Sequence, residues 1–354
     1  MHIKCIVDVS KIPLSREEWN RLISQNETNT LFQTYEWFIS WWEVFGYTCR
    51  LCFLVIYDGN TPIGFAPLTS STKSGKSRTI QFIGQNKSDY LDFVTPIRKA
   101  EAVNLIIDFL FNNLNDWDRI ILNNIPRESS TNKLIQQACR KHGLRFLKNR
   151  SIRCPYLQIE GRHKEVNKLI NKYSNKRPFN YFRKQGRLEF RLLNEDDARK
   201  HLPIFISQHI QRWADTPSPS LFNNPFNQLF YENLTEHLSH TDWLHFSVVE
   251  LNGTAISYHY GFDYNGKMYW YKPSYNTDYS TRSPGTLLIR FLIETALSNQ
   301  RQELDFTIGN EPFKRRFANE MRHNVKLQIF RKNTTFWVHS ARLHTGKLKR
   351  HIFE

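Results

Sequence analysis

The 354-residue sequence has few cysteines and no long apolar run. Its five cysteines, an odd number, do not suit a disulfide framework. Cys49 and Cys52 form a CxxC without a second Cys or His pair nearby, so a metal site is not favoured and none is predicted. No apolar stretch approaches the roughly 20 residues of a membrane span. The amino terminus lacks the apolar region of a signal peptide, so a cytoplasmic protein is expected.

Apolar and aromatic side chains are abundant. Hydrophobic residues make up 40% of the chain and aromatic residues 14%, including 26 Phe and nine Trp. A chain of this length and composition can bury two cores of ordinary size, and it is not a disordered chain.

The net charge of +16 is unevenly distributed. Between Arg140 and Lys200 there are 18 basic and 6 acidic side chains, and from Pro312 to the end there are 11 basic and 2 acidic ones. The remainder is slightly acidic. Two basic blocks of this kind attract polyanions such as nucleotide phosphates, tRNA, anionic glycans or an acidic membrane face. A solvated surface that keeps the protein soluble explains the outermost lysines equally well.

Two passages of the chain have a similar pattern of predicted elements. Each gives a strand, two helices, a pair of antiparallel strands, a helix and a further strand, which is typical of a mixed α/β layer repeated twice. We predict a first domain at 1–160, a basic linker at 161–186, a second domain at 187–335 that holds the donor site, and a basic tail at 336–354. In the second domain, the residues of the predicted strand Leu244 to Leu251 alternate in the pattern that is typical of a half-buried strand.

The segment SPGTLLIRFLIETAL predicts a helix with an unusual first turn. Ser283 suits the cap, Pro284 the first helical position, and Gly285 follows them. Leu287 and Leu288 begin an apolar face that docks on a sheet. The free amide groups of the first turn then point outward, where an anionic ligand can bind.

The run LDFTIGNEPFKRRF combines a short strand, a turn and the start of a helix. The strand ends on Asp305, Gly309 turns the chain, and Lys314, Arg315 and Arg316 follow. Open α/β sheets commonly bind anionic ligands at such strand ends. Together with the SPG helix, this run predicts a phosphate-bearing cosubstrate beside a cleft.

These motifs, with FIGQNKSDYLDF (82–93) and IGFAPL (63–68), resemble the tandem GNAT-fold proteins of the CelD type. That family is associated with cellulose and other polysaccharide biosynthesis, and it is distantly related to the FemAB peptidoglycan aminoacyl ligases. The resemblance extends from Trp37 to Phe317. It implies an α/β fold with mixed sheets, two tandem GNAT-like (acyl-CoA N-acyltransferase) domains, and transfer of an acyl group, usually from acyl-CoA, to an amine.

The resemblance assigns the phosphate-binding turn to the start of the SPG helix, at Arg282, Ser283, Gly285 and Thr286. GNAT enzymes usually carry a Q/R-x-x-G-x-G/A loop before this helix. Here STRSPG offers one glycine, and Pro284 removes one amide donor. We therefore expect this turn to bind a pyrophosphate more weakly than a full glycine-containing loop does.

The strand-end residues are the candidate catalytic groups. Asp305 is predicted to accept the proton of the incoming amine, or else to cap the turn or pair with Arg315. Lys314 is predicted to bind a phosphate or carboxylate or to stabilise the tetrahedral oxyanion, the alternative being a solvated lysine. Arg316 is a candidate substrate-binding residue.

Five further residues are candidates with weaker signals. Tyr271 lies on the strand whose backbone pairs with the acyl chain in GNAT folds, although core packing is the simpler explanation. His209 and Arg212 end a predicted helix and are candidates for the acceptor site. Asp89 and Tyr90 follow a strand of the first domain, where they contact the acceptor or hold the two domains together.

The segment Asn171 to Phe190 interleaves basic and aromatic side chains, a composition that serves a linker helix or contact with a polyanion. The prediction is an acyltransferase that moves an acyl group from acyl-CoA to an amine of a sugar, nucleotide sugar or glycan precursor in polysaccharide or cell-envelope biosynthesis. The alternatives are a FemAB-like transferase that uses aminoacyl-tRNA, and a catalytically inactive GNAT-like binding protein.

Overall fold

The computed structural model describes residues 1–71 and 78–340. The chain divides into two compact units. The first comprises Met1–Ile152 together with the segment that begins at His323, and the second is Arg153–Arg322. Among the described residues, no helix combines the length and the apolar character needed to cross a membrane.

The first unit is a mixed sheet with helices. Strands β1 to β4 are antiparallel neighbours in chain order, and β5 joins β4 in parallel. The elements are β1 (His2–Ile6), α1 (Arg16–Ser24), α2 (Tyr35–Phe45), β2 (Cys49–Asp58), β3 (Thr61–Ser71), β4 (Thr79–Phe82), α3 (Lys99–Asn112), β5 (Arg119–Pro126) and α4 (Thr131–Lys141).

Strand β6 (Arg145–Gln158) begins in the first unit and continues into the second, where α5 (His163–Asn171) and α6 (Tyr173–Gln185) follow it. The order of the first unit is then repeated by β7 (Leu188–Leu192), α7 (Glu195–Trp213), α8 (Pro225–Leu238), β8 (Leu244–Leu251), β9 (Thr254–Tyr264), β10 (Lys267–Tyr275), α9 (Pro284–Ser298), β11 (Glu303–Asp305) and α10 (Pro312–Phe317). Strands β7 to β10 are antiparallel neighbours, β11 joins β10 in parallel, and β6 pairs antiparallel with β11. The predicted repetition of a mixed α/β layer is confirmed.

The last strand, β12 (Glu320–Phe330), pairs antiparallel with β5 of the first unit. The sequence pattern predicts this strand as part of the second domain. Its pairing with β5 joins two segments that are far apart in the chain, and such pairing leaves no signal in the local sequence. Of the predicted basic tail, residues 336–340 are helical and the remainder lies outside the described residues.

The predicted linker at 161–186 belongs to the second unit as α5 and α6. Val166, Ile170 and Phe182 are buried in the same hydrophobic core as Leu288 and Leu292 of α9. Apolar residues at helical spacing therefore dock these two helices on α9, and the basic side chains occupy the other face.

Helix α9 has the apolar face that the sequence predicts. Leu287, Leu288 and Leu292 are fully buried. Arg290 of the same helix is also buried, where it donates a hydrogen bond to the Ile170 carbonyl (2.5 Å) and pairs with Glu294. α5 covers this side of α9, so the arginine stays buried with its charge paired.

Candidate active site

Helix α9 begins with a strained residue and offers few free amide groups. Ser283 at the cap is left-handed (φ +57°), and its side chain makes no capping hydrogen bond. Pro284 has no N–H, while the N–H groups of Thr286 and Leu287 both donate to the Ser283 carbonyl (3.0 and 3.3 Å). Within the described residues, the N–H of Gly285 is left without a partner. The tip therefore presents one amide donor to a ligand.

Gly285 faces an open pocket. A Cβ placed on this glycine approaches one neighbour only, the Tyr275 ring, at 4.0 Å. The pocket has a volume of about 250 Å³ and is called here the aromatic pocket. Its defining wall residues are Arg212, Trp270, Ser274, Tyr275, Gly285 and Phe313.

The aromatic pocket lies where two strands separate. β11 pairs with β10 only through Lys267–Tyr269. After Asp305 the chain follows β6 instead, and the Phe306 N–H donates to the Pro155 carbonyl (3.0 Å). Beyond Tyr269, no described strand pairs with this edge of β10. An extended ligand with amide groups can pair with that edge as an additional strand does.

Arg212 of α7 fixes one wall of the pocket. Its Nη1 donates to the Pro273 carbonyl (2.9 Å), and its guanidinium lies over the rings of Tyr275 (4.2 Å) and Trp213 (5.3 Å). Burial lowers the pKa of Arg212, while the electrostatic influence of Tyr275 opposes that change. Because arginine stays protonated in proteins, the wall carries a fixed positive charge.

A buried hydroxyl lines the same pocket. The side chain of Ser274 is fully buried, and its Oγ has no hydrogen-bond partner among the described residues. A buried polar group of this kind costs about 1–3 kcal/mol unless a ligand or water pairs with it. At the mouth, Phe313 is 37% exposed and its ring lies 6.1 Å from that of Trp270.

A second pocket, of about 270 Å³, adjoins the tip of α9. It is called here the arginine pocket, and its defining residues are Tyr173, Arg177, Tyr181, Arg282, Ser283 and Arg316. Ser283 lines both pockets. A ligand that passes the tip of α9 therefore reaches both.

Residues 171–315 match the acetyltransferase (GNAT) domain family. The matched segment contains α9, the separated strands and the whole aromatic pocket. This is a GNAT-type fold. The enzyme class that the match gives is acyltransferase, as the sequence predicts. No curated protein matches the chain at a significant level.

Solved structures with this fold cover nearly the whole chain. FemX is 12% identical with a TM-score of 0.66, covering 95% of this chain and 99% of its own. The C-terminal domain (DUF2156) of a putative lysylphosphatidylglycerol synthetase from Agrobacterium fabrum is 9% identical with a TM-score of 0.52, covering 89% and 93%. L-PGS from Bacillus licheniformis is 14% identical with a TM-score of 0.51, covering 88% and 92%. These similarities concern the fold alone, and the CelD type stays a prediction.

The predicted donor turn comes together at the two pockets. Ser283, Gly285 and Thr286 line the aromatic pocket, and Arg282 lines the arginine pocket. Tyr271 lies elsewhere. It is 6% exposed and packs against the rings of Tyr231 and Phe262, while its neighbour Trp270 faces the pocket, because adjacent strand residues point to opposite faces.

Asp305 is placed in a structural environment. It is fully buried; its Oδ1 accepts the Thr307 N–H (2.7 Å), and its Oδ2 lies 3.3 Å from Nη1 of Arg322. The ion pair is with Arg322 rather than with Arg315, and the carboxylate is not in the wall of either pocket. The geometry therefore supports holding the strand end together rather than accepting a proton from an amine.

Lys314 stabilises the turn that precedes it. Its Nζ donates to the Ile308 carbonyl (2.6 Å) and pairs with Glu311 (3.2 Å). Gly309 has φ +135°, and a Cβ there would lie 2.6 Å from the same Nζ. The turn thus needs glycine, and the lysine fills the space beside it. Lys314 is buried and lies outside the walls of both pockets, so the contacts support a structural role.

The predicted acceptor residues of the second unit separate into two groups. Arg212 lines the aromatic pocket and Arg316 lines the arginine pocket. His209 is packed in the core, where its Nδ1 hydrogen bonds with Ser220 Oγ (2.9 Å) and its ring contacts Phe222. Burial, assisted by the positive charges of neighbouring side chains, lowers the pKa of His209 to about 3. This histidine is neutral and is not in either pocket wall.

Asp89 and Tyr90 belong to the first unit. The Asp89 carbonyl accepts a hydrogen bond from Asn324 Nδ2 (2.7 Å), and Tyr90 is 2% exposed with its ring 6.0 Å from Phe32. These contacts stabilise the first unit. A role in acceptor binding stays a prediction.

Four of the six defining residues of the aromatic pocket were not predicted from the sequence as site residues. Trp270 and Phe313 stand inside motifs that the sequence does single out, the aromatic strand and the run EPFKRRF. Ser274 and Tyr275 have no local signal, because their exposure to a pocket follows from the separation of β10 and β11.

Proposed function

We propose that the protein transfers an acyl group from acyl-CoA to the amine of a sugar, nucleotide sugar or glycan precursor. The observation that carries the proposal is the aromatic pocket at the separated strands, with the arginine pocket beside it at the tip of α9. One ligand with an acyl end and a phosphate-bearing end suits this pair of pockets.

The aromatic pocket would hold the acyl and thioester end of the donor. The edge of β10 beyond Tyr269, where no described strand pairs and Thr307 Oγ1 donates to the Trp270 carbonyl (3.2 Å), lies where the amides of the pantetheine arm would pass. Within the described residues, the Gly285 N–H and the Ser274 Oγ are without hydrogen-bond partners at this position. A phosphate at the tip of α9 benefits from the helix dipole and from the Gly285 amide.

The chemistry requires little from the protein beyond positioning. The neutral amine attacks the thioester carbonyl, the C–N bond forms and the C–S bond breaks. The nitrogen loses a proton, and the departing sulfur gains one. Among the described wall residues of the aromatic pocket there is no carboxylate and no histidine. The amine proton would therefore pass to water, and the hydroxyl of Tyr275, whose ring lies against the Arg212 guanidinium, is the wall group suited to protonate sulfur.

A second candidate is transfer of an aminoacyl group from charged tRNA. One observation favours it: the tip of α9 offers a single free amide, fewer than a pyrophosphate normally receives from a full glycine-rich loop. The arginines and tyrosines beside the tip suit a polynucleotide end as well. A steep loss of tRNA binding with salt would accompany this function.

The test is the stabilisation of the protein by acyl-CoA. We expect the melting temperature to rise by several degrees at donor concentrations near 100 times Kd, because binding then contributes about 2.7 kcal/mol. Gly285→Phe fills the aromatic pocket and should abolish the shift, while the exposed control Asn167→Phe should keep it.

Two results would contradict the proposed function and favour one of the alternatives. Binding of tRNA without binding of acyl-CoA would replace the first function with the second. If neither donor shifts the melting temperature, the inactive binding protein becomes the better explanation. Turnover with a panel of amino sugars and nucleotide amino sugars then identifies the acceptor.

A further inference from the structure

The arginine pocket draws its cations from three separate parts of the second unit. Arg177 comes from α6, Arg282 from the turn before α9, and Arg316 from α10. Tyr173 and Tyr181 of α6 contribute aromatic rings. Tertiary folding therefore brings together three guanidinium groups that are up to 139 residues apart in the numbering, from Arg177 to Arg316.

The charges of this pocket are not neutralised within the described residues. Neither Arg177, Arg282 nor Arg316 forms an ion pair with a described carboxylate, and the described walls contain no acidic side chain. Several other arginines of the unit do form such pairs, for example Arg191 with Glu250 and Arg301 with Asp263. Three cations in one concavity repel each other, and an anion that enters the pocket relieves this repulsion.

Two of the three guanidinium groups are held in place. Arg316 Nη2 donates to the Ser174 carbonyl (2.9 Å) and to the Asn175 side-chain oxygen. Asn175 is itself buried. Arg282 lies over the Tyr181 ring with a centroid distance of 4.6 Å. Their preorganisation lowers the entropy lost when an anion binds.

These features match a phosphorylated nucleoside. A phosphate monoester carries close to two negative charges and accepts hydrogen bonds from several arginines, and tyrosine rings stack on a base. The pocket shares Ser283 with the aromatic pocket, so both can be reached by one ligand. On the basis of the proposed function, we infer that the arginine pocket binds the 3′-phosphorylated adenosine of CoA, and that Arg177, Arg282 and Arg316 contact its phosphate.

The experiment compares CoA with 3′-dephospho-CoA by calorimetry on the full chain. The wild type should bind CoA at least about tenfold more tightly than 3′-dephospho-CoA, since only CoA carries the phosphate that accepts charge-assisted hydrogen bonds from the arginines. Arg177→Ala and Arg282→Ala should each reduce this preference to near unity, with little change in the affinity for 3′-dephospho-CoA. Neither of these two side chains makes a hydrogen bond within the described residues, so both variants should fold.

Arg315→Ala is the matched control, because Arg315 is exposed, neighbours Arg316 and is not in the pocket wall. It should keep the wild-type preference. Equal affinities of the wild type for the two ligands, or a preference that survives Arg177→Ala combined with Arg282→Ala, would overturn the inference while leaving the proposed function intact.

The remaining outcomes separate the sources of the phosphoadenosine. If neither CoA form binds, the proposed function itself fails. If an RNA minihelix ending in adenosine binds instead, and Arg177→Ala weakens it while Arg315→Ala does not, the assignment to CoA is wrong and the pocket serves an RNA end.

Discussion

Tyr275 and Arg212 form the most constrained pair in the aromatic pocket. The guanidinium lies 4.2 Å from the centre of the Tyr275 ring and is fixed from behind by the Pro273 carbonyl. A cation over the ring holds it in one orientation. In the proposed reaction, the phenol would supply a proton, and the arginine would supply a positive charge where the thiolate departs.

We expect Tyr275→Phe to lower kcat by about 100-fold if the hydroxyl protonates the leaving sulfur. The donor KM should change little, because the ring and its contact with Arg212 remain. Steady-state kinetics with acyl-CoA and the best amino sugar measures both values. Tyr47→Phe, at a 70% exposed position, is the control. An unchanged kcat for Tyr275→Phe would assign this proton to water.

Asp305, in contrast to Tyr275, is expected to contribute to stability rather than to the reaction. Asp305→Asn removes the charge from a buried pair with Arg322, so we expect a loss of roughly 3 kcal/mol in the free energy of unfolding. Urea unfolding measures this loss. The rate of the remaining activity should still rise with pH as the acceptor ammonium loses its proton, as in the wild type.

A different result would restore Asp305 as a base. If Asp305→Asn leaves the unfolding free energy unchanged and removes the pH dependence of kcat, the carboxylate accepts a proton in the reaction despite its burial.

At the scale of elements, the start of α9 combines strain with an opening for a ligand. A serine with φ +57° occupies a conformation that costs most residues about 1 kcal/mol or more. Strain of this kind persists where the surrounding structure fixes the backbone. Here the preceding turn and Pro284 fix it, and the result is a helix tip that borders two pockets.

Ser283→Gly and Ser283→Val should therefore change stability in different ways. Glycine adopts the left-handed conformation freely, so its variant should stay within about 1 kcal/mol of the wild type. Valine is β-branched and should lose about 2 kcal/mol or more. Urea unfolding compares the two. Equal stabilities would show that the left-handed cap is absent in solution.

At the scale of the molecule, the second unit buries three neutral histidines. Burial lowers the pKa of His209 to about 3 and that of His245 to about 4, and it lowers the pKa of the fully buried His259 well below its usual value. On unfolding, each histidine regains its ordinary pKa and takes up a proton in mildly acidic solution. Stability is therefore complete above about pH 6.5 and is lost as the pH falls.

We expect the unfolding free energy to fall as the pH is lowered from 6.5 to 5, by about 0.7 kcal/mol per pH unit for each of these histidines at pH 6.5 and by about 1.4 kcal/mol per pH unit near pH 5. Urea unfolding at several pH values gives the slope. His245→Phe should remove about one third of it, because one of three protons is no longer taken up. His240→Phe, at an exposed position, should not change it. A wild-type slope near zero would contradict the burial of neutral histidines.

Much of the fold could be predicted from local pattern. The apolar face of α9, the turn at Asn252-Gly253 and the order of strands and helices follow from helical spacing, glycine placement and alternation. The start of α9 could also be predicted, because Ser, Pro and Gly at these positions are typical of the first turn of a helix. The deficit of amide donors there follows directly from Pro284.

The features that could not be predicted from the sequence are those that depend on contacts between distant segments. The half-buried character predicted for β8 is replaced by burial of seven of its eight residues, because helices cover both faces. The pairing of β12 with β5, the ion pair of Asp305 with Arg322 and the gathering of Arg177, Arg282 and Arg316 are likewise long-range. The type of a side chain limits the hydrogen bonds and ion pairs that it can form. Which partner it has is determined only by the tertiary packing of the sheet and helices, because that packing brings distant residues into contact.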